Sequence, residues 1–189
     1  MNRRRAVRLE YFTVGWNTVE VIVAIIAGIL AQSIALIAFG LDSVVEVISG
    51  LALLWRFKQQ RLGEDRADLR AVRIVGITFF LLSAYAGVEA ARDLYFHHAP
   101  ETSVPGMILA GASLIVMPVL AIAKRRLARS LNSRALFADS METLFCSYFS
   151  ATLLAGLALN AWLGWWWADP VAALVIAVLM IREGFEALS

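Results

Sequence analysis

The chain has 189 residues, of which 60% are hydrophobic and only 17% charged, with a mean hydropathy of +0.72 and a formal net charge of +2. Apolar content this far above that of a soluble domain excludes a water-soluble enzyme or carrier and points to an all-α polytopic membrane protein. The small positive charge gives no reason to expect nucleic-acid binding, and the one cysteine, Cys146, allows no disulfide within the chain.

A bilayer core is crossed by about 20 mostly apolar residues in a helix. Six such runs follow one another at 11–31, 34–57, 72–95, 106–123, 136–163 and 170–188, which predicts one transmembrane domain made of a six-helix bundle. The first run follows Arg3, Arg4, Arg5 and Arg8 and so has the outline of a signal peptide. It is too long for an h-region and leads straight into the second run, so it reads as a retained helix. Gln32 and Ser33 alone separate the first two spans, a tight hairpin. The charged stretch KQQRLGEDRADLR separates the second from the third. Lys124, Arg125, Arg126, Arg129 and Arg134 are expected in a loop between the fourth and fifth spans, and the chain ends at Ser189 with no carboxy-terminal cytoplasmic domain expected. On this layout every basic residue except Arg92 falls on one side, so the positive-inside rule places both termini in the cytoplasm. Trp55, Trp162 and Trp165 to Trp167 lie at span ends, where an interfacial aromatic belt accounts for them.

Among the acids within these runs are Glu20, Asp42, Glu46, Glu89, Asp139 and Glu142. The layout puts no lysine or arginine in the central part of any span to neutralise them. A buried carboxylate requires a cation, a proton or a hydrogen-bond network, and the missing partner is read as mobile: a metal ion, a proton, or each in turn. Asp42 and Glu46, four residues apart, share one helix face, and Asp139, Glu142 and Cys146 form a single stripe on the fifth span. Two helices presenting such pairs to each other close a four-ligand site of oxygen and sulfur, suited to a tetrahedral ion.

These residues resemble the transmembrane domain of the cation diffusion facilitators, six-helix exporters of zinc and related divalent metals. The stretch SIALIAFGLDSVVEV, from Ser33, is similar to the family's second-helix motif, with Asp42 and Glu46 at its two acid positions. RALFADSMETLFCS is similar to the fifth-helix motif, with Ala138 and Asp139 as its Ala-Asp pair and Glu142 and Cys146 at the two ligand positions. The sixth run opens on Asp-Pro, as the family's last helix does. The resemblance implies metal export in exchange for protons, a homodimer, and a metal site formed by Asp42, Glu46, Glu142 and Cys146. The usual ligands there are Asp and His. The cysteine favours zinc or cadmium, while three carboxylates pull toward harder ions such as manganese; iron and cobalt lie between.

Each residue has a competing structural reading. Asp42 and Glu46 also make sense as a structural pair, protonated or hydrogen-bonded to Ser43, Ser49 or a neighbouring helix, and a lone cysteine among apolar residues also serves as core. Asn17 and Glu20, one turn apart, suit an interhelical hydrogen bond as well as a proton relay, an outer shell around the metal or an extra ligand. Asp139 either funnels cations toward the site or pairs with Arg134 or another loop base. Glu89 has Arg92 three residues on. Glu64, Asp65 and Asp68 suit a metal-capture loop or a self-paired charge run, and His97 and His98 a release site or a solvated loop. The expected function is zinc-type export across a bacterial inner membrane, and the protein is not expected to be an enzyme, since no histidine in the spans can serve a hydrolase as base. The alternative is a non-transporting membrane protein that binds a metal or a partner.

Overall fold

A computed structural model describes residues 2–59, 65–98 and 100–188, and the described residues form six helices joined by short connections. They are α1 (Asn2–Ala31), α2 (Ile34–Gln59), α3 (Asp65–Phe96), α4 (Val104–Leu131), α5 (Arg134–Leu163) and α6 (Ala168–Leu188). By length and composition α1, α2, α4 and α5 each contain a span apolar enough to cross a bilayer. The helices satisfy their own backbone polar groups, which is the condition for lying in lipid.

Two hairpins have the same local design. At the first, Gln32 takes a left-handed conformation with φ 53°, and the Ser33 amide donates back to the Gly28 carbonyl at 2.9 Å. At the second, Asn132 does the same with φ 48°, closing α4 through Ala128 and Arg129, while Ser133 caps α5 by accepting from the Leu136 amide. A left-handed residue followed by a capping serine reverses the chain in two residues. The loop expected between the fourth and fifth spans is therefore corrected. Lys124, Arg125, Arg126 and Arg129 belong to α4, which continues as helix to Leu131. Hydropathy ends a span where charge begins, whereas a helix ends only where a cap ends it.

The packing partners are α1 with α2, α4 with α5 and α3 with α6, and α1 with α4 and α2 with α5 complete the centre. Large side chains such as Ile26, Leu81, Val88 and Ile115 face outward, while the buried residues include alanines and a set of polar groups. In water this would be inside out. Around a lipid-covered bundle it is expected, since small residues let the helices approach and hydrocarbon covers the rest. At the end away from the arginines, Ser33 donates to Asp169 Oδ1 at 2.5 Å and the Ala35 amide to Asp169 Oδ2 at 3.4 Å. The first hairpin is thus pinned to the start of α6. Replacing Ser33 with alanine removes that bond and the hydroxyl cap on Leu36, and is expected to cost ~1–2 kcal/mol. Thermal unfolding in detergent reads this loss, and an unchanged midpoint would refute it.

Candidate metal centre

A polar stripe runs along α1. Glu10, Thr13, Asn17 and Glu20 recur at intervals of three and four and are all buried, so the helix turns one polar edge inward. The facing stripe of α4 includes Ser113, Met117, Leu120 and Lys124, likewise buried. The two helices run antiparallel. Ser113 Oγ donates to Glu20 Oε1 near mid-bundle, and Lys124 Nζ donates to Glu10 Oε1 at 3.2 Å two to three turns away.

The second antiparallel pair is α2 with α5. Ser49 donates to Glu142 Oε2 at 2.8 Å, so the faces carrying Asp42 with Glu46 and Glu142 with Cys146 do meet. One turn further from the arginines, ligand atoms of Glu46, Cys146 and Glu20 lie within 4.8 Å of one another, and all three residues are buried. Glu20 is held from three sides: Trp16 Nε1 donates at 2.7 Å, Ser43 Oγ at 3.1 Å, and Ser113 Oγ completes the set. Among the described residues, no nitrogen or oxygen donor reaches either oxygen of Glu46, and both polar atoms of the Asn17 side chain lack partners. Buried polar groups without partners are rare in folded proteins and costly in a low-dielectric interior, so they mark a place where something else binds.

The structure thus assembles the sequence-derived candidates unevenly. Glu46 and Cys146 converge, and Glu20 on α1 joins them. Asp42, one turn from Glu46 and 3% exposed, and Glu142, tied to Ser49, fall outside the 4.8 Å group. The Ser43 and Ser49 hydroxyls donate to Glu20 and Glu142 and not to Glu46. Asp139 pairs with Lys124, whose Nζ lies 2.6 Å from Oδ2, and the side chain of Arg134 lies outside the described residues. Lys124, expected in a loop, is instead wholly buried in the bundle. Glu10 and Lys124 escaped sequence reasoning because both sit next to basic clusters at span ends, yet each was legible as the last member of a buried stripe.

The peripheral candidates resolve locally. Glu89 pairs with Arg92 at 3.0 Å, His98 Nδ1 lies 3.3 Å from Asp93, and His97 packs its ring on Trp166. Glu64 lies outside the described residues, as do the side chains of Asp65 and Asp68.

A lipid-facing helical bundle with carboxylates along its inside defines an integral membrane protein with an acid-lined interior. The chain belongs to the cation efflux family, whose transmembrane domain matches residues 12–189. It is 28% identical over 177 residues to the cadmium, cobalt and zinc/H(+)-K(+) antiporter of Bacillus velezensis, covering 87% of this chain and 55% of that protein. It is 24% identical over 192 residues to transmembrane protein 163 of Xenopus laevis, covering 98% of this chain and 67% of that one. The cation-efflux pump FieF of Shewanella oneidensis is 23% identical over 150 residues, covering 77% and 50%. The chain thus spans about half to two thirds of the length of the curated relatives it matches.

Proposed function

We propose that the protein exports a divalent metal cation, zinc foremost, from the cytoplasm of a bacterial cell across the inner membrane in exchange for protons. The observation that carries this reading is Glu46, a buried carboxylate that meets no nitrogen or oxygen donor among the described residues, standing beside Glu20 and the Cys146 thiol. Two carboxylates and a thiol are ligands for zinc or cadmium and bind either only when deprotonated, so metal entry displaces protons. Asp42 and Glu142, one turn to either side of Glu46 and Cys146 respectively, extend the set on α2 and α5. Asn17 and Asp139 flank it as relay or outer-shell groups. The names of the bacterial relatives, an antiporter for cadmium, cobalt and zinc and a cation-efflux pump, support the same substrate class.

In the cycle proposed, metal arrives from the arginine-rich, cytoplasmic end, seats on Glu46, Glu20 and Cys146, and leaves outward when protons retake those groups. Rocking of α1, α2, α4 and α5 against each other changes which end is open. Homodimerisation, with the lipid bilayer as surrounding partner, belongs to this proposal through the family resemblance. The spans offer no histidine base for an intramembrane hydrolase, since both histidines follow the end of α3.

The test is metal flux in proteoliposomes. With the purified chain, an imposed proton gradient is expected to drive zinc or cadmium uptake into vesicles, and collapsing the gradient is expected to stop it. Metal bound by detergent-solubilised protein with no gradient-driven flux would favour the non-transporting alternative instead.

A further inference from the structure

The carboxylates of this bundle form a column, and its arginine-rich end is closed by a lysine. Lys124 on α4 is wholly buried, and three oxygens lie around its ammonium, two as hydrogen-bond acceptors and one as an ion-pair partner. They are Glu10 Oε1 of α1 at 3.2 Å, and Thr143 Oγ1 at 3.2 Å and Asp139 Oδ2 at 2.6 Å, both of α5. The fourth central helix arrives at the same point through Gly50, where a Cβ would lie 3.0 Å from Glu10 Oε1. A side chain at position 50 would push the Glu10 carboxylate off its place. Three central helices, α1, α4 and α5, are therefore tied at one level by a single ammonium, and α2 packs against that level through Gly50.

That level lies between the cytoplasmic surface and the candidate metal centre. Asp139 precedes Glu142 by one turn and Cys146 by two, about 10 Å at the rise of an α-helix. A cation entering from the arginine-rich end meets Asp139 and Glu10 before it meets Glu46. Both carboxylates are already ion-paired with Lys124, while among the described residues Glu10 Oε2 and Asp139 Oδ2 take no hydrogen bond. An ammonium on oxygen ligands also fills the coordination that a divalent cation would seek.

We propose that Lys124 is a tethered counter-cation that closes the cytoplasmic end of the acid column. Seated on Glu10 and Asp139, it holds α1, α4 and α5 together and seals the path. Released from them, it opens the path and leaves those two carboxylates to the arriving metal. Lys124 is on this view a positioning residue for transport, and its use by the metal rests on the export reading above.

Cys146 is the single cysteine of the chain and is fully buried beyond the seal, so it reports the path directly. The experiment measures its modification by a charged, membrane-impermeant methanethiosulfonate added to either face of sealed vesicles of known orientation. Lys124→Ala alone would leave two buried carboxylates uncompensated, so the informative variant is the charge-balanced triple Glu10→Gln, Lys124→Gln, Asp139→Asn. Removing the ion tie is expected to speed modification from the cytoplasmic face by at least ~10-fold and leave the outer-face rate unchanged. Lys124→Arg, which retains the charge, is expected to stay near the slow native rate. A triple variant modified at the native rate would overturn the proposal, as would an equal rise from both faces, which marks general loosening. Because modification reads the path and not the cargo, absence of metal flux in the native protein would overturn the export reading without altering this result.

Discussion

Glutamine in place of Glu46 is expected to lower zinc or cadmium affinity by more than ~100-fold, beyond the range typical of outer-shell substitutions. The two side chains have nearly the same shape, so packing within α2 is preserved. Glutamine cannot become the anionic ligand that a buried metal ion requires, and it brings an NH2 group into a place where Glu46 meets no nitrogen or oxygen donor among the described residues. Its neighbours there are Glu20 and Cys146, which offer acceptors to that NH2 and would fold around it without metal. Calorimetric titration of detergent-solubilised protein, with circular dichroism to confirm the helices, checks the expectation. Native affinity in a folded Glu46→Gln variant would remove Glu46 from the site and leave Asp42 as the acid of α2.

The second large effect is structural. Gly156 of α5 meets the first two turns of α6 so closely that a Cβ on it would lie 2.7 Å from the Ala172 Cβ and 3.2 Å from the Ala168 carbonyl oxygen. Neither neighbour can yield by rotating a side chain, because one is a methyl fixed to the backbone and the other is the backbone itself. Gly156→Ala must therefore part α5 from α6, and the expected cost is ~1–3 kcal/mol even though alanine is the better helix former. Gly111 of α4 is the control, since a Cβ there meets nothing within 4 Å. Gly111→Ala is expected to leave the melting temperature in detergent unchanged or raise it, while Gly156→Ala lowers it. Equal behaviour of the two variants would show that close approach does not govern the α5–α6 contact.

Much of this molecule is written in its sequence in a form that elementary rules decode. The two-residue hairpin at Gln32 and Ser33 follows from how little polar sequence lies between two apolar runs, and the structure forms it. The equivalent hairpin at Asn132 and Ser133 was harder to see. The basic residues Lys124 to Arg129 look like a loop to a rule that counts charge, although they continue a helix to a capping asparagine. Where hydropathy and capping disagree, the cap sets the helix end, because unsatisfied backbone groups cost more than exposed arginines at an interface.

The sequence alone determined that the chain is a bundle of apolar helices with acids inside. Burial of a carboxylate is costly enough that LDSVVE and ADSMETLFC announce an unusual interior wherever they fold. Which carboxylates share a neighbourhood was decided only by the tertiary structure. Helix periodicity tells which residues of one helix lie on a common face, but carries no information on the rotation or depth of a neighbouring helix. Packing of α1 and α5 on α2 brought Glu20 to the side of Glu46 and Cys146, and packing of α4 on both α1 and α5 placed Lys124 against Glu10 and Asp139. Those juxtapositions join residues tens to more than a hundred positions apart, and packing between helices is the physical interaction that sets them.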